Sequence, residues 1–179
     1  GDATGDDGET HSSSLYVDIV NNGTNEISAM ISQLSDDEYH LIVHTIDTTE
    51  GTLTQTNAVE LTGIVPAGIV LLADGQTVYI TDQSGDQVVK VDLTDESQST
   101  IEVGDAPSGI TVNEVDQLAY VVNTNDRTVS IIDLTDDSVT LSSVALGLAP
   151  GKIDTDRDTS GADVVIVNIN DGTVSVITE

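Results

Sequence analysis

The sequence lacks cysteine, phenylalanine and tryptophan, so that its 4 tyrosines are the only aromatic residues. Without cysteine the chain has no disulfide bond and no thiolate nucleophile or metal ligand. Its core must be built from valine, isoleucine, leucine and alanine, which suits sheets that pack face to face through many small contacts. No apolar run is long enough to cross a bilayer, and 179 residues with 37% hydrophobic content suit one domain.

Basic residues are scarce too, since 4 Lys and Arg stand against 32 Asp and Glu, for a formal net charge of −28. Such a charge repels itself in dilute buffer and predicts a protein adapted to high salt, where the repulsion is screened. An ordinary acidic secreted protein is the alternative interpretation. The same negative field argues against nucleic acid and anionic lipid as partners.

One pattern occurs three times, and each copy opens with a proline and a nearby glycine. The copies cover residues 66–92, 107–133 and 150–178. Each has a short apolar strand, a polar turn, a second strand, an Asn/Asp/Gly turn and a third strand, and a fourth run (99–103 and 139–146) follows the first two copies. Runs of β-branched residues between such turns predict strands and hairpins rather than helices. Four short strands in about forty residues are typical of a propeller blade.

The amino-acid sequence of the middle copy resembles a known repeat family. Residues 103–133 read VGDAPSGITVNEVDQLAYVVNTNDRTVSIID, which is similar to the YVTN-type β-propeller repeat, and Asn123 and Asp133 match its pattern. The resemblance covers about 60–179 and is weaker before that. It implies a propeller fold, and because members of the family serve as surface proteins, binding scaffolds or enzymes, it does not choose a function.

These observations together predict an all-β fold, a propeller-like array of about four antiparallel four-stranded blades. Residues 15–62 are interpreted as a divergent first blade, in which Asn21 and Ile27 align with Asn123 and Val129. The propeller domain is expected over 15–179, after a flexible acidic leader at 1–14. The expected blades are 15–62, 63–104, 105–147 and 148–179, the last without its outer strand.

The leader suggests where the protein acts. Residues 1–14 are small, polar and acidic, and resemble a mature N-terminus exposed by processing of an exported or lipid-anchored precursor. This predicts an extracellular or cell-surface location. A chain trimmed at a domain edge is the alternative.

The last predicted blade has an open edge at 173–177, which is a site for strand addition. The missing strand is expected from residues 10–20 or from a second copy, which would make a homo-oligomer or a filament. A closed four-bladed ring, an open arc completed by another copy and a truncated fragment all fit the pattern.

One acidic loop has the spacing of a calcium site. Asp154, Asp156, Asp158 and Asp163 place carboxylates at alternate positions around a glycine turn, as in loops that wrap a hard cation. The loop resembles those of integrin-type propeller blades but has Thr159 where glycine is usual and one extra residue before Asp163. It predicts bound Ca²⁺, and a solvated acidic turn is the alternative.

Other signals are weaker. His11, His40 and His44 form no metal pattern, since His40 and His44 would lie about 13 Å apart on one strand face. No nucleophile elbow, phosphate loop or dinucleotide fingerprint is present. Residues 22–24 read Asn-Gly-Thr, which fits a glycosylation acceptor.

Three functions fit this sequence. The favoured one is a non-catalytic extracellular or cell-surface propeller that acts as a structural or interaction scaffold and self-assembles through its open edge. The second is a module that binds a cation, a glycan or a protein at the mouth of the ring. The third is a lactonase-like or oxidoreductase-like enzyme. The scaffold is favoured because the sequence shows no catalytic or cofactor-binding residues, with Ca²⁺ as the sole expected cofactor.

Overall fold

The computed structural model describes residues 3–4, 10–11, 13–23, 25–35, 38–142 and 144–178, and within these ranges every regular element is a strand. Two short strands, β1 (Ala3–Thr4) and β2 (Thr10–His11), pair with each other. The other fifteen form four antiparallel sheets in which consecutive strands are neighbours. The predicted all-β blade array is confirmed. Of the predicted leader, only 3–4, 10–11 and 13–14 lie among the described residues.

The sheets follow one another along the chain. The first has β3 (Ser13–Asn21), β4 (Glu26–Ser35), β5 (Glu38–Asp47) and β6 (Thr52–Leu61). The second has β7 (Pro66–Leu71), β8 (Thr77–Asp82), β9 (Gln87–Asp92) and β10 (Ser97–Glu102). The third has β11 (Pro107–Asn113), β12 (Leu118–Asn123), β13 (Thr128–Asp133) and β14 (Val139–Leu141). The fourth has β15 (Pro150–Thr155), β16 (Val164–Asn168) and β17 (Thr173–Ile177).

Three hydrophobic cores join the four sheets in sequence order, because strand residues alternate between the two faces of each sheet. In the second sheet Val78 and Ile80 pack towards the first sheet, whereas Tyr79 packs towards the third. In the third sheet Tyr120 packs in the same way towards the fourth. The first strands β3, β7, β11 and β15 lie side by side in that order, as the inner strands of a propeller do.

Glycine allows neighbouring inner strands to approach closely. A Cβ atom on Gly68 would lie 2.5 Å from the carbonyl oxygen of Ser108, and one on Gly109 would lie 2.3 Å from that of Gly151. Both distances are shorter than any tolerated contact, so only glycine fits. The fourth sheet, the last that the structure describes, has Lys152 at this position of the repeat.

Among the described residues, the sheet faces at the two ends of the array do not pack on each other. Val17 of the first sheet is 59% exposed and Val174 of the last is 58% exposed, although such strand faces are buried wherever two sheets of the chain meet. The array is therefore an open arc rather than a closed four-bladed ring.

Two expectations about the N-terminal region need correction. Residues 13–20 pair with β4 inside the first sheet and so do not supply the strand missing beside β17, which pairs only with β16 in the described part of the chain. Asn21 ends a first strand and is exposed, whereas Asn123 ends a second strand and is buried. The spacing from Asn21 to Ile27 matched because a strand, a turn and another strand recur throughout the repeat.

Membrane-spanning helices are not found among the residues that the structure describes.

Candidate functional site

A buried polar residue ends the second strand of the last three sheets: Asp82, Asn123 and Asn168. The side-chain oxygen of Asn123 accepts from the backbone N–H of Gly104 at 3.2 Å. Its amide nitrogen donates to the hydroxyls of Thr128 and Ser130, both at 2.9 Å. The residue thus fastens the loop before its sheet to the third strand, which gives the asparagine of the repeat a structural role.

Asn168 repeats this arrangement and Asp82 modifies it. Asn168 accepts from the N–H of Gly147 at 3.1 Å, and Asp82 accepts from the N–H of Val65 at 2.9 Å. Burial raises the pKa of Asp82, but hydrogen bonds from Val65, Gln87 and Ser84 outweigh it, so the pKa lies below its usual range. A carboxylate is therefore held ionised at a position with no exposed surface.

A cluster of three charged side chains lies where the inner strands of all four sheets come together. Arg157, which follows β15, donates to a carboxylate oxygen of Glu114 at 2.9 Å and to the carbonyl oxygen of Leu71 at 2.6 Å. Its other terminal nitrogen lies 3.3 Å from a carboxylate oxygen of Asp18. One side chain of the fourth sheet thus contacts the other three sheets, and we call Arg157, Asp18 and Glu114 the central cluster.

The two carboxylates of the central cluster have backbone donors as well. Asp18 accepts from the N–H of Leu71 at 2.9 Å, and Glu114 accepts from the N–H of Ala73 at 3.0 Å. The side chains of Arg157, Asp18 and Glu114 are 27%, 24% and 23% exposed. Because every charge has a partner and solvent is largely excluded, the cluster has the character of a structural clasp between sheets.

The inner strands also surround a cavity of about 290 Å³. It is lined by Tyr16, Val17, Ala67, Gly68, Ile69, Gly109, Ile110, Lys152 and Ile153. Lys152 is the only charged residue in this lining, and the remainder is mostly apolar or glycine. A second pocket of about 260 Å³ lies against the central cluster and includes Glu114, Arg157 and Asp158.

The structure does not gather the four carboxylates of the predicted calcium loop around one point, and bound Ca²⁺ stays a prediction. Within the described ranges, no group of three or more His, Cys, Asp or Glu residues is placed to hold a metal ion. Asp154 accepts from the N–H of Thr155 at 3.0 Å, and Asp156 accepts from the N–H of Asp158 at 3.1 Å. The carboxylates are used as turn acceptors, and the pKa of Asp156 is lowered for that reason. Asp158 and Asp163 are exposed and are not grouped with Asp154 and Asp156.

This loop is attached instead to the third sheet. Asp116 accepts from the N–H of Gly161 at 2.7 Å and from the hydroxyl of Ser160. Asn113 donates from its amide nitrogen to the carbonyl oxygen of Thr159 at 2.8 Å. The loop therefore orients Arg157 towards Asp18 and Glu114, a role that the spacing of its aspartates alone did not reveal.

The remaining candidates lie apart from the central cluster. His40 and His44 are on β5 of the first sheet, where His40 lies 3.9 Å from Glu38, while the side chain of His11 lies outside the described residues. Asn22 and Gly23 of the glycosylation triplet are in the turn between β3 and β4. Thr24, the third member of the triplet, also lies outside the described residues.

Sequence reasoning missed the central cluster. Its one signal was the scarcity of basic residues, which makes each Lys or Arg a candidate for ion pairing. Asp18 and Glu114 could not be chosen from 32 acidic residues.

Solved structures share this fold. The chain has a TM-score of 0.62 and 19% identity to a functionally unknown protein from Desulfotomaculum acetoxidans, covering 93% of this chain and 55% of that one. For hydrazine synthase from Kuenenia stuttgartiensis the TM-score is 0.62 and the identity 20%, over 100% of this chain and 53% of that one. For the WD40 repeats of RRP9 the TM-score is 0.66 and the identity 16%, over 93% of this chain and 50% of that one.

The fold is a β-propeller-type array. At this level of identity the likeness shows the fold alone, and the chain spans about half the length of the structures it matches. No family model matches the chain, and no curated protein matches it. The similarity to the YVTN-type repeat therefore stays a resemblance.

Proposed function

We propose that this protein is a non-catalytic interaction scaffold, outside the cell or on its surface, which assembles with its own copies through the open end of the array. The four stacked sheets and the central cluster support a rigid framework. The large negative charge and the acidic N-terminal segment favour an extracellular or surface location in a salt-rich medium.

The open edge of the last sheet carries this proposal. In the third sheet the outward edge of β13 is used, since the carbonyl oxygen of Val129 accepts from the N–H of Ser142 at 2.9 Å. Val174 takes the place of Val129 in the repeat, and Val176, two residues later, directs its backbone to the same side. β17 has no described strand on that side, so its polar backbone groups are available to a strand of another copy.

Sedimentation equilibrium in about 2 M KCl, where the Debye length is below about 3 Å, tests this proposal. We expect the wild-type chain to sediment as an oligomer of the 18.7 kDa chain. Val176→Pro removes an outward N–H and should reduce association, whereas Val176→Thr retains the N–H and the branched shape and is the control. A wild-type protein that stays monomeric at all concentrations and salt levels would overturn the proposal.

A further inference from the structure

The last sheet carries an exposed apolar surface formed by Val165, Val167, Val174 and Val176, which we call the valine face. These side chains are 40%, 43%, 58% and 43% exposed. Val165 lies opposite Val176, and Val167 opposite Val174, on the neighbouring strands β16 and β17, so the four side chains are contiguous. A contiguous apolar surface on so acidic a protein marks an interaction site.

The valine face occupies the positions through which the preceding sheets contact their neighbours. Val165 takes the place of Tyr120, which is 1% exposed, and Val167 takes that of Val122, which is 0% exposed. Both residues of the third sheet are buried against the fourth. The valine face thus continues an interface that the chain already builds between its own sheets, and another sheet of the same kind is the partner that fits it.

The first sheet has exposed apolar residues on the side that faces away from the second sheet. Tyr16 and Val20 of β3 pack towards the second sheet. Because strand residues alternate, Val17 and Ile19 face the opposite side, where they are 59% and 56% exposed. Val17 and Ile19 of the first sheet and the valine face of the last sheet are thus exposed apolar surfaces that do not meet each other.

We propose that the first sheet of a second copy covers the valine face, and that the reverse contact closes the two chains into a ring. This inference rests on the proposed self-assembly and names its surface, which is a sheet face rather than the strand edge alone.

The closing junctions differ from the internal ones at one place. Gly68 and Gly109 admit the backbone of the following inner strand, whereas Lys152 at the same repeat position does not. The partner's first strand therefore lies farther from β15 than β15 lies from β11. Lys152 places a positive charge at this wider junction between two acidic chains, where it offsets part of their repulsion.

Two single substitutions and their mixture test the ring. Val165→Asp places a carboxylate in the valine face, and Val17→Asp places one on the first sheet. Since both positions are exposed in the single chain, each variant should fold. We expect each variant to sediment as a monomer in 2 M KCl, with its dissociation constant raised at least about 100-fold, because the interface would bury an unpaired charge. Leu141→Asp, at a 64% exposed position of β14, adds the same charge elsewhere and should leave the dimer intact.

The mixture gives the decisive result. A dimer of Val165→Asp with Val17→Asp retains one junction in which both surfaces are wild type, so mixing the monomers should restore dimers. Absence of dimers in the mixture, or single variants that dimerise as the wild type does, would overturn the ring. If Val176→Pro abolishes assembly while the aspartates change nothing, the scaffold assembles by strand addition alone. A wild type that never dimerises would overturn both proposals.

Discussion

Arg157 and Asp18, which are 139 positions apart in the chain, lie 3.3 Å from each other at the centre of the array. This ion pair connects the last sheet to the first without any contact between their exposed faces. The same guanidinium bonds to Glu114 and to the backbone of Leu71, so it limits how far the arc can open.

Removal of this guanidinium should destabilise the protein. Arg157→Gln leaves two largely enclosed carboxylates without their cation, and we expect the free energy of unfolding to fall by about 2 kcal/mol. Urea denaturation in molar KCl measures the change. Arg127→Gln, in an exposed turn, is the matched control and should cost less than about 0.5 kcal/mol. Equal losses for the two variants would contradict the structural role of the central cluster.

The close approach of the inner strands should make Gly109 irreplaceable. In Gly109→Ala the new Cβ would meet the carbonyl oxygen of Gly151 at 2.3 Å, and this oxygen belongs to a backbone that cannot rotate away. We expect a loss of roughly 1–3 kcal/mol from overpacking between the third and fourth sheets. Gly151→Ala is the control, because its Cβ meets only the flexible end of Ile169, at 3.2 Å. Similar melting temperatures for the two variants would show that the sheets are not in contact there.

Acid should destabilise the protein partly through Asp82. Its pKa is lowered in the folded state, so its contribution to stability is complete above the unfolded pKa of about 3.9 and is lost as the pH falls through the folded value. Asp82→Asn introduces asparagine, the residue that the third sheet has at the same repeat position, as Asn123. The stability difference between wild type and variant should therefore be largest above about pH 4 and shrink below it.

Melting temperatures from pH 2 to 6 provide this measurement. Glu102→Gln, at an exposed position of β10, removes one carboxylate and controls for net charge. A difference between wild type and Asp82→Asn that does not depend on pH would show that the Asp82 carboxylate contributes nothing through its ionisation.

Salt should stabilise the fold. Folding gathers a net charge of −28 into a small volume, and molar salt shortens the Debye length to about 3 Å. We expect the melting temperature to rise steadily between 0.1 and 2 M KCl, and to rise equally in NaCl if screening is the cause. A melting temperature that falls over this range would reject adaptation to high salt.

Local pattern was sufficient to predict the strands and their turns. The copies opened by Pro66, Pro107 and Pro150 fold into the second, third and fourth sheets, and the buried Asn123 and Asn168 end the strands expected to carry them. These features follow from the two-residue period of a strand and from hydrogen bonds between near neighbours. Both are encoded locally, within a few residues of sequence. The same local logic misled at Asn21, where a strand and a turn recur without specificity.

The sequence by itself therefore determined an all-β repeat, its strand order along the chain and its acidic surface. Only the tertiary structure decided that Arg157 meets Asp18 and Glu114, that the array stays open, and that Val165 and Val174 are left exposed. Each of these depends on the angle between successive sheets. That angle results from many small side-chain contacts and from the twist of the strands. Whether residues far apart in the chain meet is therefore not encoded in any short stretch of sequence.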